Sequence, residues 1–195
     1  LLVLAGSVVG TEMPLTVTQI LWVNLIMDTF AALALASLPP SREVMTEKPR
    51  HTSDFIITPP ILRGILWCGL LFFFVMLGLL LYCERHGVGS IIGIHELTLF
   101  FTTFVMLQFW NLFNAKALGS YHSALRRLWA DRGLLLVLVF ILLGQWLIVT
   151  FGGRMFRTVP LSPTEWLTII AATSVVLWGG EVVRLVHRRR KAVTL

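Results

Sequence analysis

The sequence predicts an all-α, polytopic transmembrane helix bundle. Two observations carry the prediction: the scarcity of charge and the spacing of apolar runs. Of 195 residues, 56% are hydrophobic and 13% charged, and the mean hydropathy is +0.83. Soluble domains carry about 25% charged residues, so a chain with half that share, gathered between long uncharged runs, is built for lipid as solvent.

A helix rises about 1.5 Å per residue, and a hydrocarbon core of about 30 Å therefore needs roughly 20 apolar residues. Five segments qualify: 15–38, 64–82, 97–115, 133–151, and 166–180 with an extension to 183. Residues 1–9 read as the trailing end of one more helix, joined to the next by a tight connection. Pro39-Pro40 stops the first full span, Pro59-Pro60 precedes the second, and Gly152-Gly153 follows the fourth. Trp166, Trp129 and Tyr82 lie near span ends, where amphipathic rings prefer the headgroup region. Leu1 already lies in an apolar run, which suggests the C-terminal part of a longer protein or a truncated reading frame.

Orientation follows from Lys and Arg. The segments Ser41–Arg63, Lys116–Arg132 and the tail after Glu181 hold thirteen of them, and the alternate loops hold three: Arg85, Arg154 and Arg157. The positive-inside rule places the three rich regions, and so the C-terminus, in the cytoplasm. The net charge of +6 is spread along the span ends and forms no single patch, which excludes nucleic-acid binding as its purpose. Cys68 and Cys83 lie a helix length apart in one span, too far to bridge. The run His187–Lys191 reads as an anchor on acidic headgroups.

Within these bounds, with the last span taken to Gly180, four spans contain no Asp, Glu, Lys or Arg, and the first contains a single acid, Asp28. An Asp at a helix centre costs about 2.5–3.5 kcal/mol on insertion scales. Asn24 lies four residues earlier, about 40° away around a helix, so the two oxygens share a face. A carboxylate and an amide carbonyl are hard donors suited to a cation such as Ca²⁺. Three readings stand: a cation ligand, a proton relay, or a protonated acid that pins helices by hydrogen bonds.

The third span carries Gln108, Asn111 and Asn114 at i, i+3 and i+6, a stripe suited to interhelical hydrogen bonding. Phe72–Phe74 and Phe100–Phe101 are expected to face lipid. His95 and Glu96 are expected to cap or be solvated at a helix start. The sequence shows no Gly-rich phosphate loop, no Ser/His/Asp set and no Cys/His cluster, so it holds no machinery for ATP hydrolysis.

The stretch Leu21-Trp22-Val23-Asn24-Leu25-Ile26-Met27-Asp28-Thr29, followed by Ala31–Ala36 and Pro39-Pro40, resembles the sixth transmembrane helix of P-type Ca²⁺-transporting ATPases, particularly the plasma-membrane type. Thr103–Asn111 with Asn114-Ala115 looks like that family's eighth helix. Phe151–Gly153, Glu165–Leu167 and Leu177–Gly179 look like its ninth-to-tenth helix region. The resemblance implies that residues 1–9 end the fifth helix and that the five full spans are the sixth to the tenth.

It further implies that Asn24 and Asp28 are intramembrane Ca²⁺ ligands. Reticulum-type members carry Thr where this chain has Met27, and an acid where it has Gln108. Both replacements remove hard oxygen or charge, which fits a plasma-membrane-type pattern with one Ca²⁺ site and weakens Gln108 as a ligand. The implied partners are the lipid bilayer and the remainder of the pump. That remainder comprises the nucleotide-binding, phosphorylation and actuator domains, which would supply the ATP and Mg²⁺ chemistry, and the first five helices. The Ser41–Arg63 loop resembles the segment that contacts the phosphorylation domain. The rival readings are a proton- or cation-coupled secondary transporter segment and a non-catalytic membrane scaffold.

Overall fold

A computed structural model describes residues 15–39, 59–86, 93–118, 122–126, 128 and 131–193. Residues 1–9, and most of the Ser41–Arg63 loop, lie outside the described residues. Among those described, every regular element is helical: α1 (Val17–Leu21), a π-helical segment (Trp22–Asp28), α2 (Thr29–Ala36), α3 (Pro59–His86), α4 (Ile94–Lys116), α5 (Arg132–Phe151), α6 (Gly153–Phe156), α7 (Pro163–Thr173) and α8 (Val175–Val193). Five stretches are long and apolar enough to cross a membrane: Val17–Ala36, Ile61–Arg85, Ile94–Lys116, Arg132–Phe151 and Pro163–Val186. The chain is a multi-pass membrane protein.

The helix starts carry local signals. Thr16 caps α1 through a reciprocal box: its hydroxyl accepts from the Gln19 N–H, and the Gln19 side chain accepts from the Thr16 N–H. Ser162 and Glu165 repeat the box at α7, with Pro163 in the first turn, where a missing N–H costs nothing. The last full span thus starts three residues before Trp166. Pro59-Pro60 likewise sits inside the first turn of α3 rather than ahead of it.

The first full span is not the uniform α-helix that its composition suggests. It changes to i→i+5 hydrogen bonding over Trp22–Asp28 and back at Thr29. The last span is interrupted at Ser174, then runs on as α8 well past Gly180. That extension carries Glu181 and Arg184 within the helix.

The core is organised around α4, which packs against α2, α3, α5, α7 and α8. Its Phe100, Phe101, Val105 and Met106 are fully enclosed, as are Thr98 and Thr102. In lipid the gain is dispersion and close approach rather than expulsion of water, so large rings interleaved with small threonines suit the most enclosed helix. The expectation that Phe72–Phe74 and Phe100–Phe101 face lipid is therefore corrected: Phe72, Phe100 and Phe101 are buried, Phe101 at 0% exposure, Phe73 is half-buried, and of the five only Phe74, at 62%, is exposed. A composition of phenylalanines does not distinguish the two faces when lipid and core are equally apolar.

At one end of the bundle, the chain between α5 and α7 is stitched to its neighbours. Gly153 (φ 46°) and Arg157 (φ 51°) are both left-handed and turn the chain twice within five residues. Thr158 Oγ1 donates to the Ile148 carbonyl at 2.9 Å, which closes the end of α5. The carbonyls of Met155 and Phe156, left without helical partners, accept from Thr18 Oγ1 and Gln19 Nε2 of α1, both at 2.8 Å. His95 does not stand alone at its helix start; its Nε2 lies 2.8 Å from Glu165.

At the other end, Lys116 Nζ meets Asp131 at 2.6 Å and donates to the Arg126 carbonyl at 3.1 Å. Glu181 accepts from the Ala124 N–H at 2.7 Å and from Ser123 Oγ at 3.1 Å. The short α4–α5 connection is thereby held by both of the helices beside it.

Candidate intramembrane cation site

The π segment presents two faces. Trp22, Val23 and Met27 are buried against the bundle, whereas Asn24, Leu25 and Asp28 are exposed. π turns are rare inside helices, and they gather at functional sites. Here it falls on the one span with a central acid. The two oxygen-bearing side chains singled out in the sequence thus lie on one uncovered face, one turn apart.

Gln108 of α4 is brought near one of them. A cleft of about 360 Å³ between the π segment, α3 and α4 is lined by Asn24 and Gln108 together with Val23, Phe72, Met76 and Phe104. Asp28 does not line it. The amide of Asn24 therefore stands between two environments, the cleft that holds Gln108 and the outer face that holds Asp28.

The rest of the α4 stripe serves packing. Asn111 Oδ1 accepts from the Cys68 thiol of α3 at 3.3 Å. Asn114 Nδ2 donates to the Val176 carbonyl of α8 at 2.9 Å, and its Oδ1 accepts from Arg184 at 3.0 Å. Both amides are interhelical hydrogen bonders.

Among the described residues no group of three or more His, Cys, Asp or Glu side chains could hold a metal. Ca²⁺ takes about six to eight oxygens. Asn24 and Asp28 offer two oxygen-bearing side chains, fewer than such a shell needs, on a face that the described helices leave open. A carboxylate and an amide carbonyl are hard oxygen donors, and both lie near the middle of the candidate span Val17–Ala36.

A charge scan passes over the buried amides. Gln145, in the second half of α5, is 0% exposed and accepts from the Trp22 indole N–H at 3.2 Å; Gln19 is 1% exposed. The signal that could find them is an uncharged polar residue inside an otherwise apolar run.

The sequence profile described as "Cation transporting ATPase, C-terminus" matches residues 12–186. The chain belongs to that family. It is 34% identical over 191 residues to calcium-transporting ATPase PAT1 of Dictyostelium discoideum, covering 92% of this chain and 17% of the relative. It is 28% identical to plasma membrane calcium-transporting ATPase mca-1 of Caenorhabditis elegans, covering 94% of this chain and 15% of the relative. It is 31% identical to human plasma membrane calcium-transporting ATPase 3, covering 89% of this chain and 15% of the relative. The chain thus spans less than a fifth of the length of these relatives. In this cation-transporting ATPase C-terminal region, the π segment lies within the matched residues, as do all five candidate spans.

Proposed function

We propose that this chain is the C-terminal transmembrane part of an ATP-driven Ca²⁺ export pump of the plasma-membrane type, and that Asn24 and Asp28 contribute oxygens to its intramembrane Ca²⁺ site. The observation that carries the reading is their placement one turn apart on the uncovered face of the π segment. A carboxylate held at that depth without a partner is costly; facing a Ca²⁺ ion and further oxygens from other helices of the same pump, it is neutralised. Gln108, across the cleft from Asn24, contributes no charge and serves as a lining residue.

On this reading, the remaining ligands come from the first five helices. The cytoplasmic nucleotide-binding, phosphorylation and actuator domains supply ATP hydrolysis with Mg²⁺, and their motion alternates access to the site. The C-terminus lies in the cytoplasm, as do the Ser41–Arg63 and Lys116–Arg132 loops. The former couples the phosphorylation domain to the π segment. Neutralising Arg42, Lys48 and Arg50 together is expected to leave phosphorylation intact and to slow transport.

Equilibrium Ca²⁺ binding to the purified complete pump tests the ligand assignment. Asp28→Asn is expected to abolish measurable binding, and Asn24→Ala to weaken it by at least about tenfold, the scale of one lost charge-assisted contact. Binding equal to that of the parent in both variants would remove these residues from the site.

A further inference from the structure

The π segment begins at Trp22, and the side chain of that first residue leaves the segment to engage α5. Its indole N–H donates to Gln145 Oε1 at 3.2 Å. An indole N–H is a donor only, so the amide must present its oxygen and turn Nε2 away. Gln145 is fully buried, and among the described residues Nε2 finds no partner. A buried amide with one end unsatisfied is less favourable than a leucine of similar size. Packing alone therefore gives no reason for a glutamine here; the bond to Trp22 does.

The neighbouring residue completes the seat. A Cβ at Gly144 would overlap Cη2 and Cζ2 of the Trp22 ring, so the indole lies directly on the α5 backbone. Phe140, one turn along the same face, meets the ring with centroids 6.2 Å apart. Before the seat, Thr18 and Gln19 tie α1 to the carbonyls of α6. The entry to the π segment is thus fixed to the α5–α6 unit by three side-chain hydrogen bonds and one close ring contact.

We infer that Gly144 and Gln145 form a register seat for the π segment, and that Gln145 is a positioning residue for ion coordination by Asn24 and Asp28. The inference rests on the Ca²⁺-site reading given above. A π turn persists only where its surroundings hold it. Asn24 follows Trp22 by two residues and Asp28 ends the same segment. A slip of one residue at Trp22 rotates both oxygens by roughly a quarter turn around the helix axis, away from any shared ion. Gln145 touches no ion; it acts through the tryptophan.

The test is ATP-driven Ca²⁺ uptake by the complete pump in sealed inverted vesicles, measured against free Ca²⁺ for Trp22→Phe, Gln145→Met, the double variant and Asp28→Asn. Each single variant is expected to raise the half-saturating Ca²⁺ concentration roughly three- to tenfold, the scale of one hydrogen bond, with the maximal rate per folded pump kept within about twofold. The double variant is expected to be no worse than the poorer single one. An unchanged half-saturation point, or additive single effects, would overturn the inference. So would a fall in maximal rate alone, which marks a merely structural contact. Trp22→Phe keeps an aromatic side chain while removing the N–H, and decides the matter if Gln145→Met does not insert. Unaltered uptake by Asp28→Asn would instead sink the site reading itself, whichever way the Trp22 and Gln145 variants behave.

Discussion

Arg184 on α8 donates to Asn114 on α4 at 3.0 Å and, from the same Nη2, to Glu181 one turn earlier on its own helix at 3.0 Å. The arginine and glutamate side chains are only 12% and 20% exposed. Glu181 reaches onward to Ser123 and Ala124, so one enclosed ion pair joins two membrane helices and the connection between α4 and α5.

Removing one partner of an enclosed pair leaves an uncompensated charge, which costs about 3–5 kcal/mol in the buried limit. Arg184→Met is expected to fall at the lower end of that range, because its partner Glu181 keeps two other donors. Thermal unfolding of the purified pump in detergent checks it. Pairing the change with Glu181→Gln is expected to recover part of the loss, and full additivity would show that the two side chains are independent.

Gly180 lies against Asn114 so closely that a Cβ there would overlap the Asn114 amide. That amide is short and engaged at both ends, so it has little room to yield. Gly180→Ala is expected to destabilise the bundle by about 1–3 kcal/mol, despite alanine's better helix propensity. The same measurement on Gly179→Ala, where a Cβ meets nothing, is expected to show no loss.

The two kinds of phenylalanine are separable. Phe101→Ala, at a fully buried position of α4, is expected to cost about 3–5 kcal/mol through the cavity it opens. Phe74→Ala on the exposed side of α3 is expected to change stability by less than about 0.5 kcal/mol. Equal losses at the two positions would contradict the packing described for α4.

Thr158 closes the end of α5 through the Ile148 carbonyl. Thr158→Val keeps the shape and removes the donor, and is expected to cost about 1 kcal/mol. The Ile148 carbonyl keeps its bond from the Gly152 N–H at 2.8 Å, so hydrogen exchange is expected to rise only modestly, and first in the last turn of α5.

The all-helical class and the five candidate spans among the described residues were legible because apolar run length is a direct image of bilayer thickness. Asp28 stood out for the same reason, as a charge where lipid solvent tolerates none. The start of α7 was also written in the sequence, since Ser162-Pro163-Thr164-Glu165 is a capping-box pattern with proline in the first turn. The burial of Phe100 and Phe101 was not legible, because a helix in lipid shows no contrast between its core and outer faces. Nor was the π segment: Trp22–Asp28 carries no proline or glycine to announce it, and its register depends on Gly144 and Gln145, more than a hundred residues away. The Glu181–Arg184 pair was hidden by its place at the span's end, where an arginine reads as an interfacial anchor until its partner on α4, Asn114, is seen.

The most direct test of the central claim is ATP-driven Ca²⁺ uptake by the complete pump in inverted vesicles, comparing the parent with Asp28→Asn. Substituting an amide keeps the side chain's size and removes its charge. The account predicts loss of uptake with the protein still inserted and still able to bind nucleotide. Uptake at the parent's rate and Ca²⁺ dependence would contradict it, and would make Asp28 a structural residue.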